Sequence, residues 1–382
     1  MRILVVIDSL GYGGAERLLV SLLPELRKRG IFCEIAVANH PYSLMPELED
    51  ARFKVHCLGL SHRWALREAA NKLSKICKNE PFDFIWGHLY FGNLYAAHTR
   101  LFVNGLKVIW TLHYKYVDPK NLRQIFMQAL ERLSLNYLVN ARVAVSQAVL
   151  ESYPKLLGSN INCIYNGIPV ANLPAKLTIE QKLITRKKYG VDKDDFLVVV
   201  PARYVEVKGH AVLCAALALL KDRYNWCPVC LAVGNGDLKF SIQRNIESLN
   251  LENYFHLLDA LPQDKLFLLI QSADAVVLPS LIEPFGIAAA EAMALGTPTV
   301  LTDIDGFKEL VGDSNSALKV PVNDSSSLAE ALWQLRSNPE LSKTVSMEGK
   351  KRIQEKFDIS KLATDWRDLF IGLRYASALV HN

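Results

Sequence analysis

Apolar positions fall into two rhythms along this chain. Short continuous runs of aliphatic and β-branched residues alternate with longer stretches in which apolar residues recur at helical spacing. In the first half the runs are Ile3 to Ile7, Cys33 to Ala38, Phe84 to Trp86, Lys107 to Leu112, Arg142 to Val145 and Asn162 to Ile164. The second half repeats the grammar with Phe196 to Val200, Val229 to Val233, Phe255 to Leu258, Ala275 to Leu278 and Thr299 to Leu301. Strands that are apolar on both sides belong to a parallel sheet covered on both faces, with the helical stretches as the crossovers. The pattern predicts an α/β protein of two doubly wound, Rossmann-like parallel-sheet domains facing a central cleft, with ligand beyond the carboxyl ends of both sheets. The domains are expected at 1–172 and 173–356. Residues 169–195, with Pro169, Pro174 and many charges but little periodicity, read as the linker.

Composition narrows the function classes. Of 382 residues, 50% are hydrophobic and 22% charged, which excludes disorder as the main state. Seven cysteines are too few for a disulfide framework and favour a reducing compartment. Cys227 and Cys230 form a lone C-x-x-C beside a buried strand, a poor zinc or redox site without a second pair. The longest apolar stretch, Ala211 to Leu220, falls short of the ~20 residues of a membrane span. Asp8 interrupts the first run before a signal-peptide core forms. The expected setting is the cytoplasm, with the inner membrane face as an alternative.

Net charge is +5, unevenly shared: residues 1–172 carry 20 Lys and Arg against 13 Asp and Glu. A basic first half suits anionic lipid or an acidic acceptor, and a solvated surface with extra lysines reads the same way. The stretch from His62 to Lys78 alternates Trp64, Leu66, Leu73 and Ile76 with Arg63, Arg67, Lys72 and Lys75. It fits either a membrane-surface helix or an ordinary surface helix. No nucleic-acid partner is expected.

Three segments carry chemistry. The first turn, Gly11-Tyr12-Gly13-Gly14-Ala15-Glu16-Arg17, lets backbone approach an anion at a helix N-terminus. It is not a dinucleotide fingerprint, because the third glycine position is Glu16 and the second strand ends in Asn39-His40. In the second half, Arg203 and Lys208 follow a strand end, five residues apart, and can both face one diphosphate. The segment from Pro279 to Ala292 is the strongest. Pro284 holds Glu283 out of helix, Gly286 opens a helix of small residues, and its free N–H groups can receive a phosphate. Glu291, in the second turn of an apolar helix, needs a partner and suits two vicinal hydroxyls.

With these pieces in order, nearly the whole chain resembles the retaining glycosyltransferases of family 4 (group 1, GT4-type) with the GT-B fold. The resemblance rests on Gly13-Gly14-Ala15-Glu16-Arg17, Thr111-Leu112-His113, Ile164-Tyr165-Asn166-Gly167-Ile168, Arg203 with Lys208-Gly209-His210, Val233-Gly234-Asn235-Gly236, Glu283 through Glu291, and Thr302-Asp303 through Glu309. It implies that Gly13 and Gly14 approach the donor diphosphate and acceptor, and that His113 sits near the donor sugar. It also implies that Arg203 and Lys208 hold the leaving diphosphate and that Glu283 contacts sugar hydroxyls. The backbone of Phe285, Gly286 and Ile287 would fix sugar and phosphate, Glu291 the ribose diol, and backbone near Leu258 and Leu261 the base. Residues 357–382, with Trp366, Leu369, Phe370 and Leu373 on one face, would pack back onto the first domain.

Departures are Ala260, Asp305-Gly306 and Ser314-Asn315-Ser316, where the family carries glycines or an Asn-Gly turn. They bear on donor-sugar and base preference. The implied reaction is metal-independent transfer, with no cofactor, from a nucleotide sugar with UDP as default. The acceptor is a saccharide or lipid-linked saccharide whose identity rests on first-domain loops bearing Tyr12, His88, Tyr90, Tyr114 and Lys115. Asp303-Ile304-Asp305 reads as a loop rather than a metal site. A nucleotide-sugar 2-epimerase, a trehalose-phosphate-synthase-like transferase and a non-catalytic nucleotide-sugar-binding protein remain alternatives.

Overall fold

A computed structural model describes residues 1–154 and 161–376. The chain divides into two compact units, Met1–Pro169 with the segment from Ile359, and Val170–Asp358. Among the described residues, the first unit holds a seven-stranded sheet. Its strands are β1 (Arg2–Ile7), β2 (Phe32–Val37), β3 (Val55–Cys57), β4 (Phe84–His88), β5 (Lys107–Leu112), β6 (Ala141–Ala144) and β7 (Ile161–Cys163). Every pairing is parallel, in the order β3-β2-β1-β4-β5-β6-β7.

Period-two alternation divides each strand between two cores. Ile3, Val5 and Ile7 face Leu18, Leu19, Leu22 and Leu26 of helix Gly14–Lys28, while Leu4 and Val6 join Ile85, Trp110 and Leu94 on the other side. Both layers are closed to water, which explains the unbroken apolar runs. β3 has no such run; it is a three-residue edge strand, half-exposed, and periodicity misses it.

Helix Ile359–Ala376 belongs to the first unit. Its Trp366 lies 4.4 Å from the Trp86 ring and Phe370 5.9 Å from Phe84, and the Arg29 guanidinium donates to the Ser360 carbonyl at 2.5 Å. The unit boundary falls at 358/359 instead of 356/357 because Phe357 is buried against Phe285, 5.4 Å between rings, within the second unit. The other boundary falls at 169/170 instead of 172/173. Ile168 is buried, and its carbonyl accepts from the Ile359 N–H at 2.9 Å, which keeps the chain to Pro169 with the first unit. Residues 377–382 of the expected C-terminal segment lie outside the described residues.

The expected linker needs correction. Within 169–195 the chain forms a helix, Ile179–Lys188. A reciprocal capping box between Thr178 and Gln181 starts it, and Arg186 reaches Asp274 at 2.6 Å and the Ser272 carbonyl at 2.9 Å. Helical spacing is hidden there because the buried anchor is an arginine while Ile179 and Ile184 point to solvent.

Among the described residues, the second unit holds six strands: β8 (Leu197–Pro201), β9 (Val229–Val233), β10 (Phe255–Leu258), β11 (Ala275–Leu278), β12 (Thr299–Thr302) and β13 (Leu318–Val320). They are parallel, in the order β10-β9-β8-β11-β12-β13. In both sheets the strand order reverses between two central strands, β1 and β4 in one, β8 and β11 in the other. In open parallel sheets ligands bind beyond the carboxyl ends of the strands at such a reversal.

Candidate active site

In the second unit the candidate site lies at the carboxyl ends of β8 and β11, where the strand order reverses. The Leu281 N–H donates to the Val207 carbonyl at 2.8 Å, tying the two loops together. The Thr302 hydroxyl, at the end of β12, donates to the Ser280 carbonyl at 2.5 Å. Across this tie the Lys208 ammonium donates to the Glu283 carboxylate, with side chains only 18% and 15% exposed. Arg203 leaves the same strand and is exposed; among the described residues its side chain makes no ion pair. Of the two cations expected to face one diphosphate, Arg203 makes no ion pair among the described residues and Lys208 is held by a carboxylate.

Gly286 sits directly before helix Ile287–Ala294 at φ 100°, a backbone conformation that glycine alone adopts cheaply. The helix therefore starts one residue later than position 286. Phe285 is buried behind it and anchors the loop. The Ala290 N–H is the first to close an intrahelical bond, on the Gly286 carbonyl, so the amides of Ile287 to Ala289 precede the ladder and carry the positive dipole end. Gly306 abuts this loop so closely that a Cβ there would overlap the Glu283 carbonyl. That backbone approach explains the glycine in Asp305-Gly306.

Glu291 is 9% exposed and accepts from the Gln263 amide at 2.9 Å. The Leu258 carbonyl is engaged inside the unit: the Gly234 N–H donates to it at 3.1 Å and the Tyr204 hydroxyl lies 2.5 Å away. His210 follows Lys208-Gly209 into the interior. Burial first, then the Lys208 charge, holds its imidazole down at about 4. Asp303 pairs with Lys308 at 3.7 Å, and no cluster of three or more potential metal-ligating side chains occurs among the described residues.

The first unit gathers a second set of groups at its own reversal point. Gly13 precedes helix Gly14–Lys28 in extended conformation, and a Cβ on it would overlap the Glu16 carboxylate. The Glu16 carboxylate therefore lies against that helix end. Asp8, at the end of β1, accepts from the Gly92 N–H; burial outweighs that bond and lifts its carboxyl to about 6.

Across β4 and β5, His88 Nδ1 lies 3.0 Å from His113 Nε2. Trp86, its indole donating to Thr111 at 2.7 Å, packs 4.4 Å from the His88 ring. Burial holds His113 at about 3, and burial with the neighbouring imidazole drives His88 well below its usual value. Burial favours the neutral form of both imidazoles, each with one N–H, and one of these lies in the bond between the rings. Donation from His88 Nδ1 leaves its partnerless Nε2 as a bare acceptor, whereas the reverse buries an unpaired N–H, the rarer and costlier arrangement. By this argument His113 carries its proton on Nδ1, while 8% of the residue stays exposed.

Two family models match, "Glycosyltransferase Family 4" over residues 12–172 and "Glycosyl transferases group 1" over residues 181–352. The chain is 28% identical over 242 residues to "Uncharacterized glycosyltransferase MJ1607" of Methanocaldococcus jannaschii, a match covering 63% of this chain and 61% of that protein. It is 30% identical over 291 residues to "Putative glycosyltransferase EpsD" of Bacillus subtilis, covering 73% of this chain and 74% of that one. The chain belongs to the group 1, family 4 glycosyltransferases.

The glycosyltransferase has the GT-B fold. It superposes on the crystal structure of Anabaena Alr3699/HepE in complex with UDP-glucose with a TM-score of 0.84 at 21% identity, covering 97% of this chain and 100% of that one. Within its second unit, Lys208, Glu283 and the Phe285-Gly286-Ile287 turn come together, and Glu291 joins Gln263. Reading the sequence missed Gln263, the pairing of His88 with His113, and Asp8. Asp8 and His88 had a signal, since each is the polar residue ending or following a strand at the sheet's reversal point. Gln263 had none, because only the fold brings it to a residue 28 positions away.

Proposed function

We propose that the enzyme transfers a hexose-type unit from a nucleoside diphosphate sugar, with UDP as the nucleotide. The acceptor is a hydroxyl of a saccharide or lipid-linked saccharide, as in assembly of cell-surface polysaccharide or glycolipid. Transfer retains the anomeric configuration and needs no metal ion. The observation that carries this reading is the Lys208–Glu283 pair beside the helix opened by Gly286, at the reversal point of the second sheet. The UDP-glucose bound to the Anabaena protein supports the choice of nucleotide.

Breaking the anomeric C–O bond creates an oxocarbenium-like centre and adds charge to the departing diphosphate. Preorganised donors aimed at that charge lower the barrier, by several kcal/mol in comparable sites. Here they are Arg203, Lys208 and the amides opening helix Ile287–Ala294. The arriving diphosphate draws the Lys208 ammonium off Glu283, and the released carboxylate then accepts hydrogen bonds from sugar hydroxyls. Glu291, held by Gln263, accepts the ribose diol. His113 offers its Nδ1–H to the sugar. The leaving phosphate takes the acceptor proton on the same face, so no carboxylate acts as nucleophile, unlike in retaining glycosidases.

The test is incubation of the protein in chelator with a panel of nucleotide sugars, with and without saccharide and lipid-linked acceptors. The reading expects glycoside of retained configuration, and slow nucleotide release from donor alone. Isomerised nucleotide sugar from donor alone would replace it with the epimerase reading, and donor binding without turnover on any acceptor with the binding-protein reading.

A further inference from the structure

The second unit has a cleft at the other end of its sheet. Phe196, Asp274 and Pro298, the residues immediately before β8, β11 and β12, line it, so it opens at the amino ends of those strands. The candidate donor site lies at the carboxyl ends of β8 and β11. Strands of five and four residues separate the two ends, about 13–17 Å at the usual rise per residue. The cleft has a volume of about 540 Å³, within the range of small-molecule sites.

Its charge is opposite to that of its surroundings. The second unit carries 21 Lys and Arg against 24 Asp and Glu, yet the cleft is lined by six cations and three carboxylates. Two of the carboxylates are committed to the fold. Asp274 accepts from the Arg186 guanidinium at 2.6 Å and the Leu197 N–H at 2.7 Å, and Asp195 accepts from the Asp192 N–H at 2.8 Å. The third, Asp194, lies 4.0 Å from Lys193, both side chains exposed. Arg186 is spent as well, donating further to the Ser272 and Asp195 carbonyls.

Four cations are left over. Lys176, Lys182, Arg336 and Lys343 line the cleft and make no ion pair among the described residues. They come from separate segments: Lys176 and Lys182 from before and within helix Ile179–Lys188, Arg336 from the last turn of helix Ser325–Ser337, and Lys343 from helix Pro339–Lys356. The positive dipole end of that last helix, at Pro339, meets the same cleft. Lys182 is half-buried. Burial holds its ammonium below the ordinary lysine value; Asp274 pulls the other way, while the charges of Lys176 and Arg186 act with the burial. A recess lined by one sign of charge focuses potential and concentrates the opposite ion. Lysine binds phosphate as a point charge, and four unpaired cations match phosphate groups, at about −2 each, better than the single charge of a carboxylate.

We propose that this cleft, at the amino ends of β8, β11 and β12, binds a phosphorylated small molecule through Lys176, Lys182, Arg336 and Lys343. It is separate from the donor site, since none of Arg203, Lys208, Glu283 and Glu291 lines it. Nothing in it depends on the nucleotide-sugar reading.

The test is calorimetric titration of the full chain with pyrophosphate, ribose 5-phosphate and ATP. Wild type is expected to bind at least one of them, more weakly at high salt. Lys182→Gln/Lys343→Gln should weaken that binding by about tenfold or more, the loss of two charge-assisted contacts, with UDP affinity unchanged. Lys182→Arg/Lys343→Arg keeps the charges and should keep the binding, which separates lost recognition from a disturbed fold. Lys208→Met, at the donor site, should leave the binding in place. The tightest probe names the source: ribose 5-phosphate a sugar phosphate, ATP a nucleoside polyphosphate, pyrophosphate the phosphate groups alone. Hydrogen exchange with that probe should protect residues 179–188 and 336–346. Wild-type failure to bind all three probes, undiminished binding by the glutamine variant, or loss confined to Lys208→Met would overturn the proposal. So would tighter binding of poly-glutamate than of any phosphate, which would make the cleft a protein-docking surface. Absent UDP binding with retained probe binding defeats only the donor assignment.

Discussion

Replacing Lys208 by methionine separates its proposed role at the leaving group from its structural role. The ammonium and the Glu283 carboxylate are paired with less than a fifth of either side chain exposed. Removing the cation strands a carboxylate that is largely out of water. Breaking a fully buried pair costs about 3–5 kcal/mol, and this partly solvated pair should cost about 1–3 kcal/mol. For a unit of this size each kcal/mol lowers the melting temperature by about 2–4 °C. Catalysis should suffer separately. Loss of one preorganised donor to a developing oxyanion costs on the order of 10²–10³ in kcat. The double variant Lys208→Met/Glu283→Gln resolves the two effects. It removes the stranded charge, so calorimetry should show most of the lost stability recovered, while initial-rate assays show no recovery of kcat. A Lys208→Met enzyme within threefold of wild-type kcat, or a double variant that regains turnover, would refute the assignment of Lys208 to the leaving group.

Other consequences can be checked alongside. Glu291→Ala should weaken UDP binding by about 10–100-fold in calorimetry, the loss of one or two hydrogen bonds to a charged group, with Gln263→Ala a milder copy; unchanged affinity removes the ribose role. Gly306→Ala places a methyl against the Glu283 carbonyl and should cost about 1–3 kcal/mol, along with turnover. The buried histidines set a pH dependence. Their pKa values are lowered in the folded protein, His113 to about 3 and His210 to about 4, so the unfolded chain binds protons first. Their contribution is intact above about pH 6.5 and is lost as pH falls toward 4, at about 1.4 kcal/mol per pH unit for each histidine. Asp8, raised to about 6, opposes this: its stabilising effect is present below pH 4 and fades as pH rises through 6. Denaturant titrations of His113→Gln across that range should show a shallower acid slope. Nitrogen-15 spectra should find His113 protonated on Nδ1, and in His88→Phe should find that preference lost.

What the sequence made legible was whatever repeats locally. Both sheets were visible because their central strands are buried on both faces, and the glycine-opened helix after Glu283 announced itself through Pro284 and Gly286. Contacts made by topology were not visible. Lys208 and Glu283 stand 75 residues apart, and nothing near either names the other. Helix Ile179–Lys188 was hidden because its anchor is Arg186, not an aliphatic residue. The stretch from His62 to Lys78 shows why periodicity alone misleads. The spacing says that an apolar face exists there, and only packing says that Ala69, Ala70, Leu73 and Cys77 turn it inward. Gly13 is a further case, since the glycine suggests room for an anion and only the fold shows the Glu16 carboxylate lying beside it.

The proposed transfer requires a diphosphate held by protein cations and a helix end in the second unit. Calorimetric titration of the wild-type chain with UDP, UMP and uridine, all in excess chelator, tests this most directly. UDP should bind at least tenfold more tightly than UMP, and uridine most weakly. Equal affinity for UDP and UMP, or UDP binding that appears only when a divalent cation is restored, would contradict it.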